Sequence, residues 1–147
     1  MHISVLNGPN LNLLGIREPH LYGSTRLPEI EQLVRSRAET LGVEISWSQT
    51  NHEGELVELV QDLRKNADGA LINAAAFTNT SLALRDAFLA VQVPFVEVHL
   101  SNIFAREEER QKTLIGDLSV GLISGFGANS YLLGLDAILK HLDFSGA

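Results

Sequence analysis

Short, nearly continuous apolar runs alternate along the chain with longer stretches whose apolar residues recur at helical spacing. The short runs predict strands at His2 to Leu6, Val43 to Trp47, Ala70 to Ile72, Phe95 to Val98 and Ser119 to Ser124. Between them, Ile30, Leu33, Val34, Ala38 and Leu41 form one helical stripe, with Thr25 as a cap, Pro28 in the first turn and Gly42 as the stop. Leu56, Leu59, Val60 and Leu63 form a second stripe between Gly54 and Asn66. Thr78 or Thr80 can cap a third helix carrying Leu82, Leu84, Ala87, Phe88 and Val91. A charged helical turn follows at Arg106 to Lys112, and a last helix runs from Ala128 to Leu142.

Strands alternating with helices are the signature of a parallel sheet built from right-handed crossovers. The predicted fold is an α/β flavodoxin-like three-layer sandwich with a five-stranded parallel sheet, a single domain over residues 1–147. In such sheets ligands bind beyond the carboxyl ends of the strands, where strand order reverses. The site is therefore expected in Asn7 to Thr25, Asn73 to Asn79 and His99 to Arg110.

Composition narrows the classes that fit this fold. A chain of 147 residues, 45% hydrophobic, can bury roughly 70% of its unfolded surface, and so can hold a core without cross-links or a structural metal. It has no cysteine, which removes disulfide scaffolds, thiolate zinc sites and cysteine nucleophiles. A formal net charge of -7 argues against nucleic acid or an anionic membrane as partner. A few arginines in one cleft can still hold a small anion. No apolar run approaches the roughly 20 residues of a membrane span, and the first residues lack signal-peptide features, so the expected location is cytoplasmic.

Three segments carry candidate chemistry. Residues 7–25 form a long loop after the first strand, with Arg17 and Tyr22 beside Leu11, Leu13, Leu14 and Ile16, too apolar for a solvated linker. Residues 73–81 combine small residues with a hydroxyl-rich turn at a helix start, which suits either an anion or simple capping. Glu97 and His99 share one face of a strand, so the carboxylate can fix the imidazole tautomer, which suits His99 to a general acid as well as to a structural role. Arg106 and Arg110 are four apart on one predicted helical face. Arg85 and Asp86 fit a surface charge pair or a contact with a neighbouring subunit. Gly125-Phe126-Gly127 reads as turn geometry rather than a phosphate loop, and no set of ligands converges on a metal.

With these segments in view, the chain closely resembles the type II 3-dehydroquinate dehydratases over essentially its whole length. The resemblance rests on Asn7 to Asn12 with Arg17-Glu18-Pro19 and Tyr22-Gly23, on Asn73 through Ser81, and on Glu97 to Asn102 with Arg106 and Arg110. It implies a cofactor-free lyase of the shikimate pathway or quinate breakdown, assembled as a homododecamer of trimers, whose substrate is 3-dehydroquinate. It further implies that Tyr22 removes the C2 proton beside Arg17 in the lid. Asn10 stabilises the enolate through a bound water, and His99, oriented by Glu97, protonates the departing hydroxyl. Asn73, the N–H groups around Leu100 and Ser101, and Arg110 would contact substrate, with Asn79 and Arg106 beside them and Asp86 reaching a neighbour's site.

An unperturbed tyrosine titrates near ~10, so the base role needs a nearby cation. Only Lys65, Lys112 and Lys140 are present, none in a predicted site segment, which argues against an imine route. Two departures stand out. Asn79 replaces the family's usual histidine, and Gln111-Lys112-Thr113 follows Arg110 where the family often has His and Ser. The first predicts weaker substrate binding with the acid–base pair intact, since asparagine is shorter and uncharged. The alternative is a catalytically weakened paralogue that binds a quinate-like ligand or a partner.

Overall fold

The computed structural model describes residues 1–16, 20 and 24–142. All the strands predicted from the apolar runs form: β1 (His2–Asn7), β2 (Glu44–Gln49), β3 (Gly69–Asn73), β4 (Phe95–His99) and β5 (Gly121–Ser124). They make one sheet, every pair parallel, in the order β2-β1-β3-β4-β5. This is the flavodoxin-like order, with its reversal between β1 and β3.

Four longer helices cover the sheet: α1 (Leu27–Leu41), α2 (Glu53–Asn66), α4 (Leu82–Val91) and α6 (Asn129–His141). Among the described residues, two single turns, α3 (Phe77–Thr80) and α5 (Glu108–Gln111), lie in the connections. On one face Ile30, Val34 and Ala38 of α1 and Tyr131, Leu135 and Ile138 of α6 pack on Ile3, Val5, Leu71, Val96 and Val98. On the other, Leu56, Val60 and Leu63 of α2 and Leu84, Phe88 and Val91 of α4 pack on Leu6, Ala70, Ile72 and Phe95. Each fully buried aliphatic side chain contributes about 1.5–3 kcal/mol relative to exposure. The central strands β3 and β4 are buried along their whole length, which is why they read as continuous apolar runs, while β2 and β5 at the edges are mostly half-exposed. No described helix is long and apolar enough to cross a membrane.

The structure departs from the predicted boundaries for physical reasons. β1, β3 and β4 each extend into a polar residue, Asn7, Asn73 and His99, that hydrophobicity does not mark but whose backbone continues the ladder or strand. Thr25 is not the cap of α1. The N-cap falls one residue later, at Arg26, whose N–H donates to the Glu29 carboxylate at 3.1 Å. Neither Thr78 nor Thr80 caps the third helix either, because the chain turns twice there. Ser81 caps α4 by accepting from the Leu84 N–H at 2.9 Å, while Thr78 is buried and Thr80 bonds back to the Ala76 carbonyl. Arg106 precedes α5 in extended backbone, so Arg106 and Arg110 do not share a helical face.

Candidate active site

The strand carboxyl ends meet in a cavity of about 110 Å³. Asn7 and Asn73 are register partners at the ends of β1 and β3, and the chain beyond β1 is drawn tight against β3 by a bond from the Gly8 N–H to the Asn73 carbonyl at 2.8 Å. Only glycine allows that approach, since a Cβ on Gly8 would sit 2.3 Å from the Ala74 oxygen. Asn10 and Leu11 enter the cavity wall from the loop after β1, and Asn73 and Asn79 from the segment after β3. His99, Leu100, Ser101, Arg106 and Arg110 supply the third side. The loop after β1 is anchored by Leu11 and Leu14, both buried, as its apolar content predicts, whereas Leu13 and Ile16 stay exposed.

Arg17 and Tyr22 lie outside the described residues. Asp86 is exposed on α4 and does not line the cavity. Its neighbour Arg85 makes its hydrogen-bonded ion pair with Asp117, at 2.6 and 3.0 Å, and also donates to the Leu114 carbonyl, while Asp86 adds only a Coulombic attraction to it. The Arg85 guanidinium holds the Asp117 carboxyl below its ordinary value.

Glu97 lies completely buried on the face that β4 shares with Phe95, and His99, at 6% exposure, opens onto the cavity. His99 Nε2 meets Glu97 Oε2 at 2.5 Å. The Thr78 hydroxyl donates to the same oxygen at 3.0 Å, and the Thr113 hydroxyl donates to Oε1 at 2.7 Å. A dry carboxylate is tolerable only when its lone pairs are met by donors, and here both oxygens are. The network is satisfied with Glu97 ionised and the imidazole hydrogen on Nε2, which leaves Nδ1 as the nitrogen turned away from Glu97.

A second network lies behind Asn73. The wholly buried Tyr131 hydroxyl donates to Asn7 Oδ1 at 2.7 Å and accepts from Asn73 Nδ2 at 3.0 Å. Asn73 Oδ1 accepts the Ala75 N–H at 3.2 Å, and Asn7 Nδ2 donates to the Ser48 carbonyl at 3.0 Å. Burial pushes the Tyr131 phenol above its ordinary value, keeping it a neutral donor. Asn10 takes a left-handed backbone, φ 68°, steadied by Asn51, whose Oδ1 accepts the Asn10 N–H at 2.9 Å.

The two arginines of the wall are held by neighbours. Arg110 pairs with Glu107, whose carboxyl is kept below its ordinary value by a backbone N–H and by Arg110. Arg106 reaches the Ser101 hydroxyl at 3.4 Å. Asn79 Nδ2 donates to the Lys112 carbonyl at 2.8 Å, so the residue in the histidine's place is tied to the chain that carries Arg110. Gly125 and Gly127, both at positive φ, form a turn whose N–H groups bond the His99 and Leu100 carbonyls, in keeping with a turn rather than a phosphate loop.

Sequence reasoning missed Thr113, Tyr131 and Asn51, and assigned Thr78 to capping. Tyr131 falls on the apolar stripe of α6, where a tyrosine looks like any core aromatic. The hydroxyls of Thr78 and Thr113 gain meaning only when three separate segments fold around Glu97.

A strand-end cleft with a buried carboxylate fixing an imidazole is what an acid–base enzyme of the flavodoxin-like α/β class needs. Comparison with known proteins narrows the class. The sequence profile described as "Dehydroquinase class II" matches residues 1–139. The chain is 54% identical to the 3-dehydroquinate dehydratase of Trichodesmium erythraeum, covering 99% of this chain and 97% of that protein. It is 52% identical to the enzyme of the same name from Dinoroseobacter shibae, covering 97% and 95%. The crystal structure of type II dehydroquinase from Butyrivibrio crossotus superposes with a TM-score of 0.91 at 37% identity, covering 93% of this chain and 96% of that one. The chain belongs to the class II dehydroquinase family, the enzymes that dehydrate 3-dehydroquinate in the shikimate pathway.

Proposed function

We propose that the chain converts 3-dehydroquinate to 3-dehydroshikimate and water by stepwise anti elimination, with Tyr22 as base and His99 as acid. The observation that carries this reading is the Glu97–His99 pair at the cavity wall in a chain of this family. The C2 hydrogen is acidic because it lies beside the C3 ketone. Its removal by the Tyr22 phenolate, next to Arg17, sends the C–H electron pair into the ketone to form an enolate. Asn10 stabilises that oxygen through a water. The enolate then re-forms the ketone and expels the C1 hydroxyl, which takes a proton from His99 and leaves as water. No bond to the protein forms, so neither a lysine nor a cofactor is needed.

Glu97 would hold the Nε2–H of the imidazolium, so that Nδ1–H faces the leaving group and the neutral Nε2–H tautomer remains once the proton is given up. Asn73, Asn79, the N–H groups at Leu100 and Ser101, Arg106 and Arg110 would bind the substrate's hydroxyls and carboxylate, and Asp86 would serve a neighbour's site. The reading includes a cytoplasmic homododecamer built from trimers.

The test is the appearance of the product's enone absorbance on mixing enzyme and 3-dehydroquinate. Tyr22→Phe and Arg17→Ala are each expected to abolish turnover in a folded protein, and near-full rate in either would overturn the assignment of the base. Native mass checks the assembly. Asn79→His addresses the weakened-paralogue alternative: a large gain in kcat/KM favours it, and little change favours a competent enzyme.

A further inference from the structure

The segment after Arg110, Gln111-Lys112-Thr113, differs from the family's usual residues, yet its third side chain reaches the buried carboxylate. Thr113 Oγ1 accepts the N–H groups of Ile115 at 3.2 Å and Gly116 at 3.0 Å. Both lone pairs of the hydroxyl are then engaged, so its hydrogen can go only outward, and it goes to Glu97 Oε1 at 2.7 Å. The turn that aims it is pinned on every side. The Leu114 N–H donates to the Thr78 carbonyl at 2.8 Å, Asn79 holds the Lys112 carbonyl at 2.8 Å, and Arg85 holds the Leu114 carbonyl at 2.8 Å. Gly116 closes the arrangement, since a Cβ there would stand 2.6 Å from Thr113 Cγ2 and 3.3 Å from Glu97 Oε1.

From this geometry we infer that Thr113, aimed by the 113–116 turn, is a positioning residue for the reaction: it fixes the Glu97 carboxylate and through it the orientation and tautomer of His99. The inference rests on the reading of His99 as the acid. Thr78 and His99 both meet Oε2, so without Thr113 the buried Oε1 would lack a side-chain donor. A donor on each oxygen fixes the plane of the carboxylate. Asn79 gains a part in the same device, tying Lys112, the residue before Thr113, to the cavity wall. Among the described residues, the groups around His99 that carry or can carry charge are Glu97 on its own strand, Arg106 and Arg110 across the cavity, and the neutral Tyr131 behind Asn73. Thr113 reaches only the first of them.

The experiment compares Thr113→Val, which keeps the volume and removes the donor, with Thr113→Ser, which keeps the donor, in steady-state assays with 3-dehydroquinate. Thr113→Val is expected to lower kcat by about 10- to 100-fold with KM within about twofold, and Thr113→Ser to recover kcat to within about threefold of the parent. Gly116→Ala displaces the same hydroxyl by another route and is expected to reproduce the kcat-specific loss, which keeps the test open if the valine variant fails to fold. Nitrogen-15 spectra of the His99 ring in the unliganded protein are read alongside. A single Nε2–H tautomer is expected in the parent and in Thr113→Ser, and averaged tautomers in Thr113→Val. A folded Thr113→Val with raised KM, unchanged kcat and an unchanged imidazole spectrum would make Thr113 merely a strut for the arginine wall, and would overturn the inference. Altered tautomers with unchanged kcat would show that Thr113 sets the imidazole without serving the reaction, and would overturn the inference too, while His99→Ala checks the reading of His99 as acid separately.

Discussion

Two buried polar networks lie beneath the cavity, one charged and one neutral, and they do different work. Around Glu97, two hydroxyls and an imidazole converge on a single carboxylate, all on the α2 and α4 side of the sheet. Around Tyr131, a phenol joins the amides of Asn7 and Asn73 on the α1 and α6 side. The charged network ends on a ring nitrogen able to give or take a proton. The neutral one ends on backbone, at Ala75 and Ser48, and shapes the cavity wall. A low-dielectric interior strengthens both, and the mechanism proposed above draws on the first while the second holds the shape of the site.

The largest expected effect comes from removing the charge while keeping the shape. Glu97→Gln should lower kcat by about 10²- to 10⁴-fold, as loss of a general acid's orientation does, with the far-ultraviolet circular dichroism unchanged. A kcat near that of the parent would show that the pair at 2.5 Å is structural. Next in size is Tyr131→Phe. It leaves Asn7 and Asn73 each short of a buried partner, for a loss of about 1–3 kcal/mol in urea denaturation, while kcat falls far less than in Glu97→Gln. If kcat fell as steeply, the division between the two networks would fail.

Smaller still is Ala75→Gly. Ala75 has φ 52°, a left-handed conformation that strains an L side chain, and its N–H is bonded to Asn73 Oδ1. Glycine there should raise stability by about 1 kcal/mol if the network holds the same backbone in the variant. The smallest effect belongs to a pair outside both networks. Asp117 is held below its ordinary value by Arg85, so its contribution is present above the unfolded carboxyl pKa and is lost as pH falls through the lowered one. Asp117→Asn should therefore lower the melting temperature slightly at neutral pH and not at all in strong acid. A large loss at neutral pH would mean that the exposed pair holds the 113–116 turn.

The candidate site was legible in part. The three segments after β1, β3 and β4 could be named from spacing, because the carboxyl ends of a parallel sheet must face one side, and eight of the expected residues, among them Asn10, Asn73, Asn79 and His99, do line one cavity. Glu97 and His99 share a strand face by the alternation of extended backbone alone. What could not be read was which hydroxyl meets which oxygen. Thr78 looked like a cap because hydroxyls before helices usually are caps, and Ser81 performs that task three residues later. Asn79 looked like a weakened substrate contact, yet its amide also fastens the segment that carries Thr113.

The acidic balance of the chain, -7 overall, gave no guide to the cleft, where Arg106 and Arg110 stand. Glu29, Glu39, Glu55 and Glu58 are exposed on helices, and Glu31 is half-exposed. Net charge sums over the surface, whereas binding feels the few groups within a Debye length, about 10 Å at moderate salt.

By itself, the order of apolar runs determined the class of fold, the strand count and the side of the sheet on which chemistry must lie, because periodicity and the handedness of crossovers are local properties of the chain. The tertiary structure alone decided the hydroxyl partners of Glu97 and the partners of Tyr131. Those contacts join residues 16 to 124 positions apart, and a buried polar atom takes whichever donor the packed helices bring within reach.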